Sequence, residues 1–416
     1  MTHSPSPTEI AAAVLFAVAV LHTLAASRIH ALAHRYPRHA GSLHLLGEVE
    51  VVFGFWAIVL VCVMALLQGG ERAMQYAQSR QYTEPLFVFV VMVVAATRPI
   101  LATVDRLLSA VARAAPIPAP AARAWLALAV VPLLGSLVTE PAAMTIGALI
   151  LGPQIFRPEV PARVKYLVLG VLFVNISIGG TLTSFAAPPV LMVADAWGWT
   201  SAFMAATFGW KAAIAVVVNA SIAVVVARTH LVPRVTEVDG TPASVVLVHC
   251  LFLAGVVALS HYPVAFIALF LMFVGFTQAY ERHQSPLVVR EALLVAFFLA
   301  GLVVLGGLQA WWLQPLVSSL SAWQLFAGAT LLTAVTDNAA LTYLGTLIEG
   351  LPAESRYSLV AGAVAGGGLT VIANAPNPAG VALLRRGFDD ESIGVLGLLA
   401  GAALPTLIAV AALAFL

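Results

Sequence analysis

Two carboxylates, Glu140 and Asp337, sit in related strings, TEPAAMT (139–145) and TDNAALT (336–342), inside otherwise apolar sequence. Each string is followed by a second one, GGTLT (179–183) and GGGLT (366–370), and then by prolines, Pro188 and Pro189 in one case and Pro376 and Pro378 in the other. Carboxylates surrounded by hydroxyls and amides offer oxygen ligands only. A hard cation takes such a set, and a proton competes for the same oxygens. Occupancy by one excludes the other, which is the chemistry of exchange. Asp337, Asn338 and Glu140 are the leading candidates, and Thr139, Thr336, Thr181, Thr183, Ser184, Thr370, Asn374 and Asn377 can add neutral oxygens. No catalytic residues and no cofactor are expected. The transported species would be Na⁺ and H⁺, with any sodium site lying within this set.

The class of element that holds these residues follows from composition. Hydrophobic residues make up 61% of the 416 positions and charged residues 9%, with a mean hydropathy of +0.99. A soluble domain has roughly 45–50% apolar residues. The chain reads as an all-α polytopic membrane protein. A membrane helix needs roughly 20 apolar residues, and about ten such runs are present without any soluble linker. The net charge of +1 and the lack of charge runs argue against nucleic-acid binding. Cys62 and Cys250 fall within apolar runs and read as small hydrophobes. The first run, 11–26, follows MTHSPSPTE, which has no Lys or Arg, so it reads as a span and not as a signal peptide.

Basic residues set the orientation, because short cytoplasmic loops are enriched in Lys and Arg. Spans are expected at 10–27, 44–68, 84–104, 163–190, 202–227, 243–260, 262–280, 288–310, 356–383 and 392–416, with both termini outside. Segments 122–156 and 320–350 are expected to dip in and return. Fifteen of the twenty Lys and Arg then face the cytoplasm, while Arg72, Arg80 and Arg356 lie outside and Arg98 and Lys211 fall within spans. If either dip were a full crossing, Arg228, Arg234, Arg282 and Arg290 would turn outward.

Each dip reads as a re-entrant helical hairpin, two apolar arms around a polar turn at SLVTEP or TAVTDN. The arms are too short to cross about 30 Å of hydrocarbon. Pro141 suits the first turn of a helix, and Thr139 and Asp337 are N-cap residue types. Gly179 and Gly180, and Gly366, Gly367 and Gly368, precede hydroxyls and prolines and would unwind the spans at 163–190 and 356–383, freeing carbonyl oxygens. The first repeat opens from outside to inside and the second from inside to outside. Two inverted repeats with helices unwound near the midplane are the architecture of a secondary transporter. The organisation is thus N-terminal helices over 1–80, repeat 1 over 81–228, connecting helices over 229–286 and repeat 2 over 287–416.

This pattern resembles the ion transporter superfamily of sodium/proton antiporters, arsenite pumps and dicarboxylate transporters, and most closely its sodium/proton antiporter branch. TDNAALT is similar to the DN-containing motif of the second hairpin, and GGGLTVIANAPNPAG to the glycine-rich unwound motif of antiporters and arsenite pumps. The resemblance covers about residues 80–416. It implies a scaffold with a moving transport region, a site made of hairpin tips and unwound helices, and a homodimer. Glu140-Pro141 departs from the DN form, and the Ser-Asn-Thr signature of the dicarboxylate branch is absent from both tips. Short, weakly charged loops and the resemblance together place the chain in a bacterial inner membrane.

The remaining polar residues read less sharply. An acid at a helix N-terminus is also favoured by the dipole alone. Arg98 could snorkel or act as a charge partner of Glu140, Lys211 reads as a dimer-interface or interfacial anchor, and His44, Glu48 and Glu50 open the second span as interfacial residues, with a proton entry path as the alternative. Asn175 and Ser177 could support the first glycine pair. The alternative function is a proton- or sodium-coupled carrier of an anion such as arsenite, sulfate or an organic acid, since half-helix N-termini attract anions. An enzyme is disfavoured, as the chain has neither an HExxH motif nor a Ser/His nucleophile arrangement.

Overall fold

The computed structural model describes residues 5–232, 240–388 and 392–416, all of them helix, turn or loop, with no strand among the described residues. The first helices are α1 (Pro7–Arg35), α2 (Ala40–Leu46), α3 (Val49–Gln68), α4 (Gly70–Gln78), α5 (Thr83–Ala95) and α6 (Arg98–Ala114). Next come α7 (Ala119–Leu128), α8 (Val130–Val138), α9 (Glu140–Ile155), α10 (Ala162–Gly179), α11 (Pro188–Trp197), α12 (Ser201–Met204) and α13 (Trp210–Ala227). The remainder are α14 (Ala243–Ala258), α15 (Pro263–Ala279), α16 (Val289–Gly306), α17 (Ala310–Ser318), α18 (Ala322–Thr333), α19 (Asn338–Thr346), α20 (Ala353–Gly366), α21 (Asn377–Leu384) and α22 (Val395–Phe415). Arg234, one of the basic residues used for orientation, lies outside the described residues.

Among the described residues five helices are long and apolar enough to cross a membrane, Glu50–Gln68, Ala162–Leu182, Ser201–Ala227, Val289–Gly306 and Val395–Phe415. Two bent pairs, α5 with α6 (63°) and α7 with α8 (41°), raise that to seven if each pair is one span. The chain is therefore a multi-pass membrane protein. The expected continuous span at 84–104 differs, because the chain turns at residues 96–97 and restarts at Arg98-Pro99. Pro99 has no N–H to give to the preceding turn, so it fits the start of a new helix better than the middle of an old one. The new helix is amphipathic, burying Leu108 and Ala112 and exposing Arg106 and Arg113.

Glycine and proline then shape the two motif regions. Helix α9 starts at Glu140, directly after the turn residue Thr139, and folds back along α7 and α8. Helix α19 starts after the turn at 334–337, leaves α18 and packs on α11 and α20. Helix α10 stops at the first glycine pair, a single 3₁₀ turn covers Gly180–Leu182, and α11 resumes at Pro188. Helix α20 stops at Gly366, a 3₁₀ turn covers Val371–Ala373, and α21 resumes at Asn377. The second helix of each turn packs on the resumed helix of the other half, α9 on α21 and α19 on α11.

Two large apolar clusters hold the molecule together. One joins α7–α10, α13, α20 and α22 and includes Phe326 of α18. The other joins α1, α3, α5, α15 and α16 and includes Ala339 and Ala340 of α19. Asp337, between α18 and α19, therefore lies at the seam between them.

Candidate functional site

Both carboxylates sit at helix starts beside the interrupted helices. Glu140 is completely buried, and its Oε2 accepts a hydrogen bond from Asn374 Nδ2 at 2.9 Å. Its Oε1 has no partner and lies over Gly180, where an added Cβ would come within 2.5 Å of it. Only glycine leaves room for that oxygen. Asp337 caps α19, its Oδ1 accepting from the backbone N–H groups of Ala339 (2.7 Å) and Ala340 (3.3 Å). The capping role foreseen for an acid at a helix start is thus real at Asp337, and it engages Oδ1 alone.

Thr139 behaves differently. Its φ of +86° is the only positive φ of a non-glycine residue among the described residues, and its buried hydroxyl makes neither a cap bond nor any other. A β-branched residue in this region is strained. The expected N-cap bond is therefore missing, because the backbone turns the side chain away from the first N–H groups of α9.

Three asparagines complete the site, each with its amide nitrogen committed. Asn374 donates to Glu140. Asn377 donates to the carbonyls of Gly367 (2.8 Å) and Thr370 (2.9 Å). Asn338 donates to Ser177 Oγ (3.3 Å), whose own proton goes to the Val364 carbonyl (2.8 Å). Every one of these partners is an acceptor, which fixes the orientation of each amide. The three Oδ1 atoms, together with Glu140 Oε1 and Thr139 Oγ1, are buried without a partner. An unsatisfied buried polar atom costs about 1–3 kcal/mol, so these four acceptors and one hydroxyl would together rival the net stability of a domain. An acceptor-rich, donor-poor cluster of this kind suits a cation and repels an anion.

The hydroxyls of the candidate set mostly tie the backbone together. Thr181 bonds its own helix at Ile178 O (2.7 Å), Thr183 donates to Ser136 O (2.6 Å), and Thr370 donates to Ala334 O (2.9 Å). The last two are equivalent staples, each joining an interrupted helix to the turn that faces it. Ser136 adds two more bonds, donating to Gly179 O (2.7 Å) and accepting from Leu182 N–H (3.0 Å). Its signal in the sequence was its place one helical turn before Glu140. Gly366 packs against Thr330, and Gly367 and Gly368 pack against Ser177 and Val174, so the interrupted helices touch at their breaks. Asn175 donates to the carbonyls of Leu128 and Val216 and binds α10 to its neighbours.

Other candidates fall outside this group. Thr336 is half-buried beside the second turn. Ser184 pairs with Ser201 (3.1 Å) and lines a cavity of about 590 Å³ with Glu84, Asp195 and His261. A second cavity of about 570 Å³ shares Glu84, Asp195 and His261 and reaches Arg80 and Tyr343. Arg98 is exposed at the first turn of α6 and is not brought to Glu140, whose hydrogen bond comes from Asn374. Lys211 donates to the Tyr357 hydroxyl (2.9 Å) and ties α13 to α20. Glu50, read from sequence as interfacial, lines a small cavity with Asp337 and Asn374. No curated protein matches the chain significantly. A family-wide sequence profile described as "Putative Na+/H+ antiporter" matches residues 7–416, nearly the whole chain, and the protein belongs to that family of cation/proton antiporters.

Proposed function

We propose that the protein exchanges sodium for protons at one site, built from Glu140, Asp337 and the carbonyl oxygens of Asn338, Asn374 and Asn377. The observation that carries this reading is the orientation of the three amides. Each spends its donors on protein acceptors and keeps its oxygen for a positively charged guest. Sodium bound there would be held by carboxylates and neutral oxygens, and protonation would remove the negative charge and weaken its hold. The same feature argues against arsenite, sulfate or an organic acid, which would meet acceptors and carboxylates with no basic partner brought to Glu140.

The two matching turns and interrupted helices would be inverted repeats with re-entrant hairpins, supported by the exchanged packing of α9 on α21 and α19 on α11. We place the site near the midplane, where interrupted helices are tolerated because they face protein or a polar cavity. The cluster containing α1, α3, α5, α15 and α16 would serve as scaffold, with the other cluster moving against it. A homodimer in a bacterial inner membrane with both termini outside fits the basic loops and the family resemblance. The test is cation-induced collapse of a pH gradient in proteoliposomes, comparing Na⁺, Li⁺, K⁺ and Ca²⁺. Sodium should collapse the gradient in the native protein and fail to do so in Asp337→Asn. A folded native protein silent to every cation would send the search to anion uptake.

A further inference from the structure

The helical arm that leads to Glu140 is bent, whereas the one that leads to Asp337 is not. Helices α7 and α8 meet at Ala129 with a bend of 41°, while α18 runs unbroken from Ala322 to Thr333. Pro132 is the local cause. In a continuous helix the Leu128 carbonyl would accept from residue 132, and proline has no N–H to give. A backbone carbonyl buried as deeply as this one needs another donor. Asn175 of α10 supplies it, its Nδ2 donating to Leu128 O (2.8 Å) and also to Val216 O of α13 (3.1 Å).

The amide is itself held in place. Its Oδ1 accepts from Asn219 Nδ2 (2.9 Å), which also reaches the carbonyl of Pro405 in α22 (3.3 Å), and both asparagines are buried. Both polar atoms of Asn175 are thus engaged, and its orientation is fixed by its partners. The corresponding place in the second half is built differently. Asn175 lies four residues before the break at Gly179, and four residues before the break at Gly366 stands Gly362, which lets α20 lie directly on the Phe326 carbonyl of α18. A side-chain amide stands between α10 and its arm where the other half has backbone contact.

What the bend aims is Glu140. The nine residues of α8 form a lever about 13 Å long, so a change of about 10° at its base would carry its tip by about 2 Å. Near that tip Gly135 packs against Ala143 and the backbone of Glu140, and Ser136 ties α8 to the first break through Gly179 O and Leu182 N–H. Pro132 touches the same break, since a Cβ at Gly179 would come within 2.7 Å of its carbonyl. Bend, break and carboxylate are therefore mechanically joined. We propose that Asn175 is a positioning residue for Glu140: by holding the bend at 128–132 it sets where the carboxylate meets Asn374 and the cation. The inference rests on the sodium/proton reading of the site.

Two readouts test this, the apparent KM for sodium in proteoliposomes and the thermal midpoint of the purified protein, each measured in Asn175→Leu and Pro132→Ala. Asn175→Leu keeps the size of the side chain and removes its donors, and it should raise the KM for sodium by about tenfold or more. Pro132→Ala returns an N–H to Leu128 O and straightens the arm. It should therefore raise the KM as well, in a protein whose midpoint is no lower than native. A purely structural amide would lower the midpoint in Asn175→Leu and leave both KM values within about twofold of native, and that result would overturn the proposal. A native KM in the combined variant would overturn it too, because a satisfied carbonyl and not the bend would then be what matters. If Asn175→Leu fails to insert, Pro132→Ala decides alone, a raised KM supporting the proposal and a native KM contradicting it. A native protein in which sodium drives no proton movement would refute the antiport reading, an outcome distinct from any KM shift confined to the variants.

Discussion

At the residue scale, the site depends on which atom of each side chain is already spoken for. Asp337→Asn keeps a cap acceptor for α19 but removes the charge, so it should insert normally and lose exchange by about 100-fold or more, read as proton flux per sodium pulse. Asn374→Leu strips Glu140 of its only hydrogen bond, and a loss of about 1–3 kcal/mol should weaken sodium binding by about ten- to a hundredfold, measurable by calorimetry. Thr139→Gly removes the strain of a positive φ, worth about 1–3 kcal/mol, so the thermal midpoint in detergent should rise while turnover does not improve. Competition also fixes the sign of the pH effect. Lowering pH loads the carboxylates with protons, and apparent sodium affinity should fall by about tenfold per unit once protons dominate the site. The acids and amides were legible in the sequence because polar residues are costly in such apolar surroundings. The place of Glu50 beside Asp337 and Asn374 was less legible, because next to His44 and Glu48 it looked like part of a polar span end, and it follows from the packing of α3 on α16.

At the scale of elements, the helix breaks and turns do the positioning. GGTLTSFAAPP and GGGLTVIANAPNP announced interruptions that fall at 180–187 and 367–376, because glycine and proline act locally and independently of tertiary context. The splaying of α19 away from α18 was hidden, since it follows from packing against distant helices, while the bend before Arg98 has a local mark in Pro99 that the apolar run around it obscured. Gly367→Ala would drive a methyl into Ser177 and should destabilise by about 1–3 kcal/mol, with transport lost. Gly328→Ala in α18 meets no atom within 4 Å and should change stability by at most about 0.5 kcal/mol. Thermal unfolding of the two purified variants separates a glycine needed for close approach from one that is merely present.

At the scale of the whole molecule, the seam between the two apolar clusters runs past Asp337, while the cavities of about 590 and 570 Å³ open near the connections of α4 with α5, α11 with α12 and α14 with α15. In the orientation proposed from the basic loops, those connections lie outside. A cysteine at Ser260 should accordingly react with an impermeant maleimide added to intact cells, and one at Arg386 should react only after permeabilisation. Composition alone revealed the membrane class, but the arrangement into two large apolar clusters is a property of packing that no local sequence pattern encodes. The central claim is that sodium and protons compete for the same carboxylates, and the most direct measurement is proton release when sodium is added to purified protein in weakly buffered detergent solution. The account predicts release that saturates with sodium, diminishes at low pH and vanishes in Asp337→Asn. Sodium binding without proton release at any pH would contradict it.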